Sequence, residues 1–229
     1  MSCILNIETS TNVCSVSVSE DFRVVWNEED HSGPNHSVSL GVFVEKALAE
    51  ISNGGVKLDA VAVSWGPGSY TGLRIGLSTA KGVCYGSGAK LISVPTLKVL
   101  CVPVLLGKEI EDDALLCPMI DARRMEVYAA VYDRALREVR PVGADIVEAD
   151  TYKEFLDSHP VYFFGNGADK CKDVITHPNA RFIAGIEPLA RNMHTLAERS
   201  FNEGNFEDVA YSTPFYLKEF HATVPKQLL

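Results

Sequence analysis

The order of apolar and polar residues at the start of the chain predicts three consecutive strands. Residues 3–8 are largely apolar, and residues 13–19 alternate apolar with small polar side chains at a period of two. Residues 22–27 continue as a third strand, with polar turns at residues 9–12 and 20–21 between them. The chain is therefore expected to open with a three-stranded meander.

Two later segments carry apolar side chains at helical spacing on more than one face. In the helix predicted over residues 38–51, with Ser37 as N-cap, the core stripe is Leu40, Val44, Ala47, Leu48 and Ile51 and the second face is Val38, Val42 and Ala49. In the helix predicted over residues 71–85, the core stripe is Leu73, Leu77, Ala80 and Cys84, and the opposite side carries Ile75, Thr79, Gly82 and Gly86. Each second face either is buried further or contacts another protein.

The remaining pattern predicts a second, smaller lobe. Strands are expected at residues 58–64 and 90–95, followed by an apolar helix over 96–106 that Pro103 breaks. The charged residues 108–113 mark the boundary between an N-terminal domain, 1–107, and a C-terminal domain, 108–229. The second half is expected to contain a hairpin over 115–132, a strand at 161–164, and helices at 151–158 and 188–202. A glycine loop after the strand at 161–164 is expected to open a further helix. The tail over 211–227 has no regular period and is expected to pack across the body or to dock on a partner.

A glycine-rich segment, GPGSYTGLRIG at residues 66–76, joins a predicted strand to a predicted helix. Its backbone N–H groups at a helix N-terminus could cradle a phosphate or an acyl phosphate, for which Gly66, Gly68, Ser69, Thr71 and Gly72 are the candidates. The structural alternative is that the glycines let the strand and helix pack closely, and the spacing alone favours it. The segment matches neither GxGxxG nor GxxxxGK[ST].

The net charge of the chain indicates whether it binds nucleic acid by itself. The net charge of −9 is divided unevenly, with 7 basic against 9 acidic residues in 1–107 and 14 against 21 in 108–229. A protein that binds nucleic acid by itself usually shows the opposite sign, so contact with RNA is expected only through a partner.

His31 and His36, five residues apart, do not have the spacing of a zinc pair and are expected to be solvated or capping.

The chain also lacks an apolar stretch long enough to span a membrane and a signal-peptide pattern, which predicts a cytoplasmic protein. Its cysteines are scattered through apolar runs, as expected for reduced core residues: Cys3, Cys14, Cys84, Cys101, Cys117 and Cys171.

Taken together, five segments resemble the TsaB (YeaZ) family, and the resemblance covers essentially the whole chain. The segments are Ile7-Glu8-Thr9-Ser10, His36-Ser37, residues 66–76, Ser93-Val94-Pro95-Thr96-Leu97 and Ile120-Asp121-Ala122-Arg123-Arg124. The resemblance implies an α/β, actin-like (sugar kinase/Hsp70/actin) fold of two ribonuclease H-like lobes, the second reduced. One departure is Glu8, where relatives usually carry aspartate.

The resemblance also implies a function. TsaB proteins pair with the catalytic subunit TsaD and, with the ATPase TsaE, support transfer of threonylcarbamoyl to the adenosine beside the anticodon of tRNA. The expected partners are therefore a TsaD-type subunit, a TsaE-type ATPase and tRNA reached through the complex, with a homodimer possible for the chain alone. The pairing surface is expected at Val38, Val42, Ala49, Ile75, Thr79 and Gly82.

The residues bear on whether the chain is itself an enzyme. The two metal-ligand histidines of the catalytic relative are matched by Thr96 and Leu100, neither of which replaces an imidazole. Glu8, Thr9 and Ser10 with the glycine segment are then degenerate phosphate loops, and no catalytic residue, metal or cofactor is expected. The alternatives are a stand-alone ATP-binding phosphotransferase and, less favoured, an M22-type metallopeptidase.

Overall fold

The computed structural model describes residues 2–33 and 35–218. In these ranges the strands are β1 Cys3–Glu8, β2 Cys14–Glu20, β3 Arg23–Asp30, β4 Ala60–Gly66, β5 Lys90–Pro95, β6 Leu115–Asp121, β7 Glu126–Tyr132, β8 Glu138–Ile146, β9 Val161–Phe164 and β10 Ala180–Ile183. The α-helices are α1 His36–Asn53, α2 Tyr70–Ser87, α3 Thr96–Gly107, α4 Lys153–Leu156 and α5 His194–Glu203.

The strands form two sheets of the same topology. The first has the order β3-β2-β1-β4-β5, and the second, taken from β8, has the order β8-β7-β6-β9-β10. In each sheet the first three strands in sequence are antiparallel neighbours, and the last two run parallel to the first. Two lobes with this repeated topology are the architecture of the actin-like fold, so the predicted fold class is confirmed.

The first lobe is a sheet covered on both faces. Helices α1 and α2 lie side by side on one face, where Leu40 and Leu77 join the core made by β1, β2 and β4. Helix α5 lies on the other face, where Met193 and Ala197 pack against Ile4. Strand β1 is buried along its whole length because both faces of the sheet are covered.

Helix α3 lies between the two sheets. Val99 packs into the first lobe with Ile92 and Val94, whereas Leu97, Leu100, Cys101 and Val104 pack against strands of the second lobe. A helix between two apolar surfaces is apolar all round, as this one is. The helix continues through Pro103, so the predicted break there is wrong; burial between the two sheets outweighs the missing backbone hydrogen bond.

The chain returns to the first lobe after the second sheet. The backbone N–H of Ala190 donates to Ser15 Oγ at 2.9 Å, and the buried Glu198 carboxylate accepts from Ser2 Oγ at 2.6 Å. The predicted division at residues 107 and 108 separates the two sheets in sequence, whereas residues 190–203 lie against the first sheet.

Residues 205–218, called the strap below, cross the edge of the first lobe and reach the second. The Glu207 N–H donates to Leu91 O at 2.8 Å, Lys81 Nζ donates to Ser212 O at 2.7 Å, and the Phe215 N–H donates to Trp65 O at 2.9 Å. At its end Lys218 pairs with Glu126 in the second lobe. The tail was expected to pack across the body or dock on a partner; residues 211–218 pack across it, and residues 219–227 lie outside the described part.

The second lobe retains five strands, and its reduction lies in the helices. Within the described ranges it carries the four-residue α4 and short 3₁₀ turns where the first lobe has α1 and α2. The helices predicted at 151–158 and after the loop Gly165-Asn166-Gly167 are therefore wrong in length and type, and β8 and β10 were not predicted. The part of the chain that the structure describes contains no helix with the length and apolarity to cross a membrane.

Candidate functional site

The glycine segment packs directly against the turn between β1 and β2. Helix α2 begins at Tyr70, with Ser69 as its N-cap, and Ser69 Oγ accepts from the Gly72 N–H at 3.2 Å. The Ser69 N–H donates to Ser10 O at 2.6 Å, and Thr9 Oγ1 donates to Gly72 O at 2.8 Å. At these positions the loop is bonded to the chain's own backbone.

Three glycines are required by this contact. A Cβ at Gly68 would overlap Ser10 O, one at Gly72 would overlap Thr9 O, and one at Gly76 would overlap Thr9 Oγ1. The absence of a side chain at these positions lets the β1–β2 turn pack directly on the loop. The geometry supports the structural explanation of these glycines.

Gly66 is required for a different reason. Its φ is +110°, a conformation that favours glycine, and a Cβ there would contact Phe215 O in the strap. The strap therefore covers the first residue of the glycine segment. Thr71, the remaining candidate of the segment, lies exposed in the first turn of α2.

Glu8 ends β1 beneath this loop and is completely buried. Its Oε1 accepts from the Ser10 N–H at 2.6 Å, whereas its Oε2 has no hydrogen-bond partner among the described residues. Burial raises the pKa of Glu8 from 4.5 to about 7, and hydrogen bonds from neighbouring residues, Ser10 foremost, oppose the shift only in part. A carboxyl group in this position is half protonated near neutral pH.

His36 fixes the same turn from the other side. It is buried in the first turn of α1, and its Nε2 lies 2.7 Å from Thr11 O. The expectation of a solvated or capping histidine is wrong for His36, and Ser37 is not the N-cap, because Asn35 precedes the helix. His31 is half exposed and pairs with Glu29 at 3.0 Å and Glu187 at 3.2 Å.

The two positions matched to metal ligands begin helix α3. Thr96 is fully buried with its hydroxyl unpartnered in the described chain, and Leu100 packs in the core between α3 and the second sheet. Among residues 2–33 and 35–218, no three His, Cys, Asp or Glu side chains are grouped to hold a metal ion. A metal-free protein stays a prediction.

The second lobe repeats the packing of the glycine segment. A Cβ at Gly165 would overlap Met119 O, and the Gly167 N–H donates to Met119 O at 3.0 Å, as Ser69 does to Ser10. Asn166 Oδ1 accepts from the Asp121 N–H at 2.9 Å. In both lobes, then, the loop after the fourth strand is bonded to the end of the first.

A small cavity of about 210 Å³ lies between the lobes, beside the glycine segment. It is smaller than the 300–1,000 Å³ typical of ligand pockets. The Phe215 side chain of the strap forms one of its walls. Its other lining residues are Trp65, Gly66, Pro67, Pro95, Leu97, Lys98, Tyr132, Glu138 and Val142.

The predicted pairing residues lie on the outer side of α1 and α2. Val38 is 72% exposed, Val42 is 48% exposed, and Ala49 and Gly82 are also exposed. Ile75 and Thr79 are half-buried, and Ile75 packs against the core of the first lobe. Because the two helices lie side by side, their outer faces form one continuous surface, to which Tyr85 adds a ring that is 90% exposed.

Sequence reasoning missed His36 as the residue that fastens the turn and the strap as the cover of Gly66. A single histidine in a polar loop gives no periodic signal, and the strap makes its contacts through backbone groups far apart in sequence. All six cysteines are buried free thiols, as predicted.

The family model and the two relatives described next are named for the same modification of tRNA. The family model described as TsaD, tRNA N6-adenosine threonylcarbamoyltransferase, matches residues 30–224. The "tRNA threonylcarbamoyladenosine biosynthesis protein TsaB" of Escherichia coli (strain K12) is 34% identical over 225 residues, 94% of each chain. The protein of the same name from Bacillus subtilis (strain 168) is 29% identical over 75% of this chain and 74% of that one.

A solved structure shows the same fold. It is an uncharacterized protein with similarity to peptidase YEAZ from Pseudomonas aeruginosa, which superposes with a TM-score of 0.81 at 24% identity. The match covers 95% of this chain and 100% of the other.

Proposed function

The chain belongs to the TsaB (YeaZ) family, and we propose that in tRNA threonylcarbamoyladenosine biosynthesis it is a non-catalytic subunit that pairs with a TsaD-type catalytic subunit. The observation that carries the proposal is the 34% identity to a biosynthesis protein of that name over 94% of both chains. The catalytic subunit transfers threonylcarbamoyl to the adenosine beside the anticodon, and a TsaE-type ATPase acts through the complex.

The packing of the glycine segment supports a non-catalytic role. The loop that would bind phosphate is bonded to Ser10 and covered by Phe215, and Glu8 beneath it is buried with one oxygen unpartnered in the described part. Leu100, at a ligand position of the catalytic relative, is a core residue. Glu8 and the glycine loop serve the fold of the first lobe, Leu100 packs against the second sheet, and the chemistry belongs to the partner.

The outer face of α1 and α2 is the surface that we assign to pairing. It combines Val38 and Val42, large apolar side chains left exposed, with Gly82, over which another backbone can approach closely. Tyr85 supplies an exposed aromatic ring of the kind that is enriched at interfaces. In the absence of the catalytic subunit, the same face would pair two copies of this chain.

Gly82→Arg tests the assignment. A Cβ at Gly82 meets nothing within 4 Å, so the variant should keep its fold and melting temperature while a long charged side chain blocks the face. We expect at least a tenfold loss of affinity for the TsaD-type subunit, measured by calorimetry, and a matching loss of threonylcarbamoyl transfer to tRNA in the reconstituted system.

Gly107→Arg is the matched control, because Gly107 is also an exposed helical glycine with open space around it, at the end of α3. It should leave affinity and transfer unchanged. Unaltered pairing of the Gly82→Arg variant would contradict the assigned surface, and transfer at full rate without this chain would contradict the proposed function.

A further inference from the structure

The turn between β6 and β7 carries two consecutive arginines in a conformation that arginine rarely adopts. Arg123 has a φ of +73° and Arg124 a φ of +50°. Glycine and asparagine occupy such positions at lower cost, and hairpin turns with two positive φ values usually use them. Strained residues of this kind persist where their side chains are needed.

Both arginine side chains are available for contact. Arg123 and Arg124 are exposed, and neither has a carboxylate within 4 Å in the described ranges. The other cations at the turn are already paired, Lys170 with Asp121 and Lys218 with Glu126. With these four cations and two carboxylates, the turn carries a local charge of about +2 on a chain whose net charge is −9.

The strap links this turn to a third exposed arginine, which belongs to the first lobe. Arg74 is exposed, and its guanidinium lies over the Tyr70 ring at 4.2 Å and donates to Tyr216 Oη at 3.1 Å. Tyr216 is two residues before Lys218, which contacts Glu126 at the turn, so the Cα atoms of Tyr216 and Lys218 are at most about 7 Å apart. Arg74, Arg123 and Arg124, linked through the contacts of the strap, are called the arginine strip below.

We propose that the arginine strip binds the phosphate backbone of RNA, which under the proposed function is the tRNA presented to the complex. Guanidinium groups match phosphate oxygens in a bidentate geometry. The rings of Tyr70 and Tyr216, 4.6 Å apart, hold Arg74 in place, and its guanidinium lies 4.2 Å from the centre of the Tyr70 ring. The chain would then contact the RNA itself, in contrast to the expectation from its net charge that RNA is reached only through a partner.

The test compares variants in the complete complex and in the chain alone. Arg123→Glu with Arg124→Glu reverses the charge of the turn, whereas Lys57→Glu with Lys108→Glu makes the same change at two other exposed, unpaired lysines. Binding of a fluorescent unmodified tRNA transcript is followed by anisotropy between about 50 and 200 mM salt. We expect the arginine pair to weaken binding about tenfold and to reduce the salt slope by about 2, with no change in the lysine pair.

Arg123→Gly with Arg124→Gly separates the role of the side chains from that of the backbone. Glycine suits both φ values, so this variant should melt at or above the wild-type temperature and still lose RNA affinity. A charge-reversed chain that binds tRNA like its lysine control, or a wild-type chain that binds no tRNA either alone or in the complex, would overturn the proposal.

Two further outcomes separate this proposal from the proposed function. If the arginine variants fail to join the complex, as judged by gel filtration, the strip contacts protein and the RNA assignment is wrong. If the wild-type chain does not pair with the TsaD-type subunit, the proposed function fails, and the RNA titration of the chain alone still decides the role of the strip.

Discussion

At the residue scale, Glu8 is a carboxyl group buried with few hydrogen-bond partners among the described residues. A carboxylate at the end of the first strand would need solvent, a cation or several donors to stay ionised. Here Oε1 has one backbone donor at 2.6 Å, and the rest of the group is enclosed by the β1–β2 turn and the glycine segment. This enclosure disfavours the charged form of Glu8 and raises its pKa to about 7.

The raised pKa of Glu8 gives stability a pH dependence. Because the pKa is higher in the folded than in the unfolded chain, the folded protein binds more protons between pH 4.5 and about 7. Stability from this group is therefore present below pH 4.5 and is lost as pH rises through 7. Glu8→Gln should remove this loss. From pH 4.5 to pH 8, the free energy of unfolding of the variant should therefore rise by on the order of 3 kcal/mol relative to that of the wild type.

Urea unfolding at several pH values measures this effect. Glu45→Gln, at an exposed position of α1, is the control and should follow the wild-type pH profile. Parallel profiles of Glu8→Gln and wild type would show that Glu8 is ionised without penalty and that the enclosure described here is wrong.

At the scale of elements, helix α2 divides its glycines between two uses. Gly72 and Gly76 leave no room for a Cβ beside Thr9, whereas a Cβ at Gly82 or Gly86 would face open space. A helical glycine costs about 1 kcal/mol relative to alanine. The close approach of the β1–β2 turn offsets that cost for the first pair, and the proposed pairing surface explains the second.

Alanine substitutions should separate the two uses. Gly72→Ala places a Cβ against the Thr9 carbonyl and should destabilise the chain by more than about 2 kcal/mol. Gly82→Ala meets no atom and should stabilise the isolated chain by up to about 1 kcal/mol. Thermal and urea unfolding of the two variants give the comparison; equal effects of the two would contradict the packing of the glycine segment.

The elements that the sequence predicted best were those buried in a single, regular environment. Strands 3–8 and 90–95 were placed to the residue, because their apolar runs are continuous. Strand β8 was missed because Pro141 and Gly143 interrupt its pattern and most of it is half exposed. The N-terminus of α1 was misplaced because a buried histidine, not a serine cap, begins it.

At the scale of the whole molecule, the pattern of residues predicts a second lobe that begins with a hairpin as the first lobe does, whereas the actin-like fold is implied only by the resemblance. The order of the strands carries the repeat, because the described part of the second lobe has no long helices to match α1 and α2. In each lobe the loop after the fourth strand donates a backbone hydrogen bond to the region where the first strand ends. These bonds run from Ser69 to Ser10 and from Gly167 to Met119. The closure of the first loop by the strap depends on contacts between residues about 150 apart, which local patterns do not reveal.

We propose that the glycine segment serves the fold and does not bind a nucleotide. A calorimetric titration of ATP into the purified chain, without a partner, distinguishes these two roles. Since the loop is in contact with Ser10 and with Phe215, we predict no saturable heat up to about 1 mM ATP. Saturable binding with a Kd of about 10 μM or tighter, abolished in a Glu8→Gln variant that still folds, would contradict the account and indicate a nucleotide-dependent enzyme.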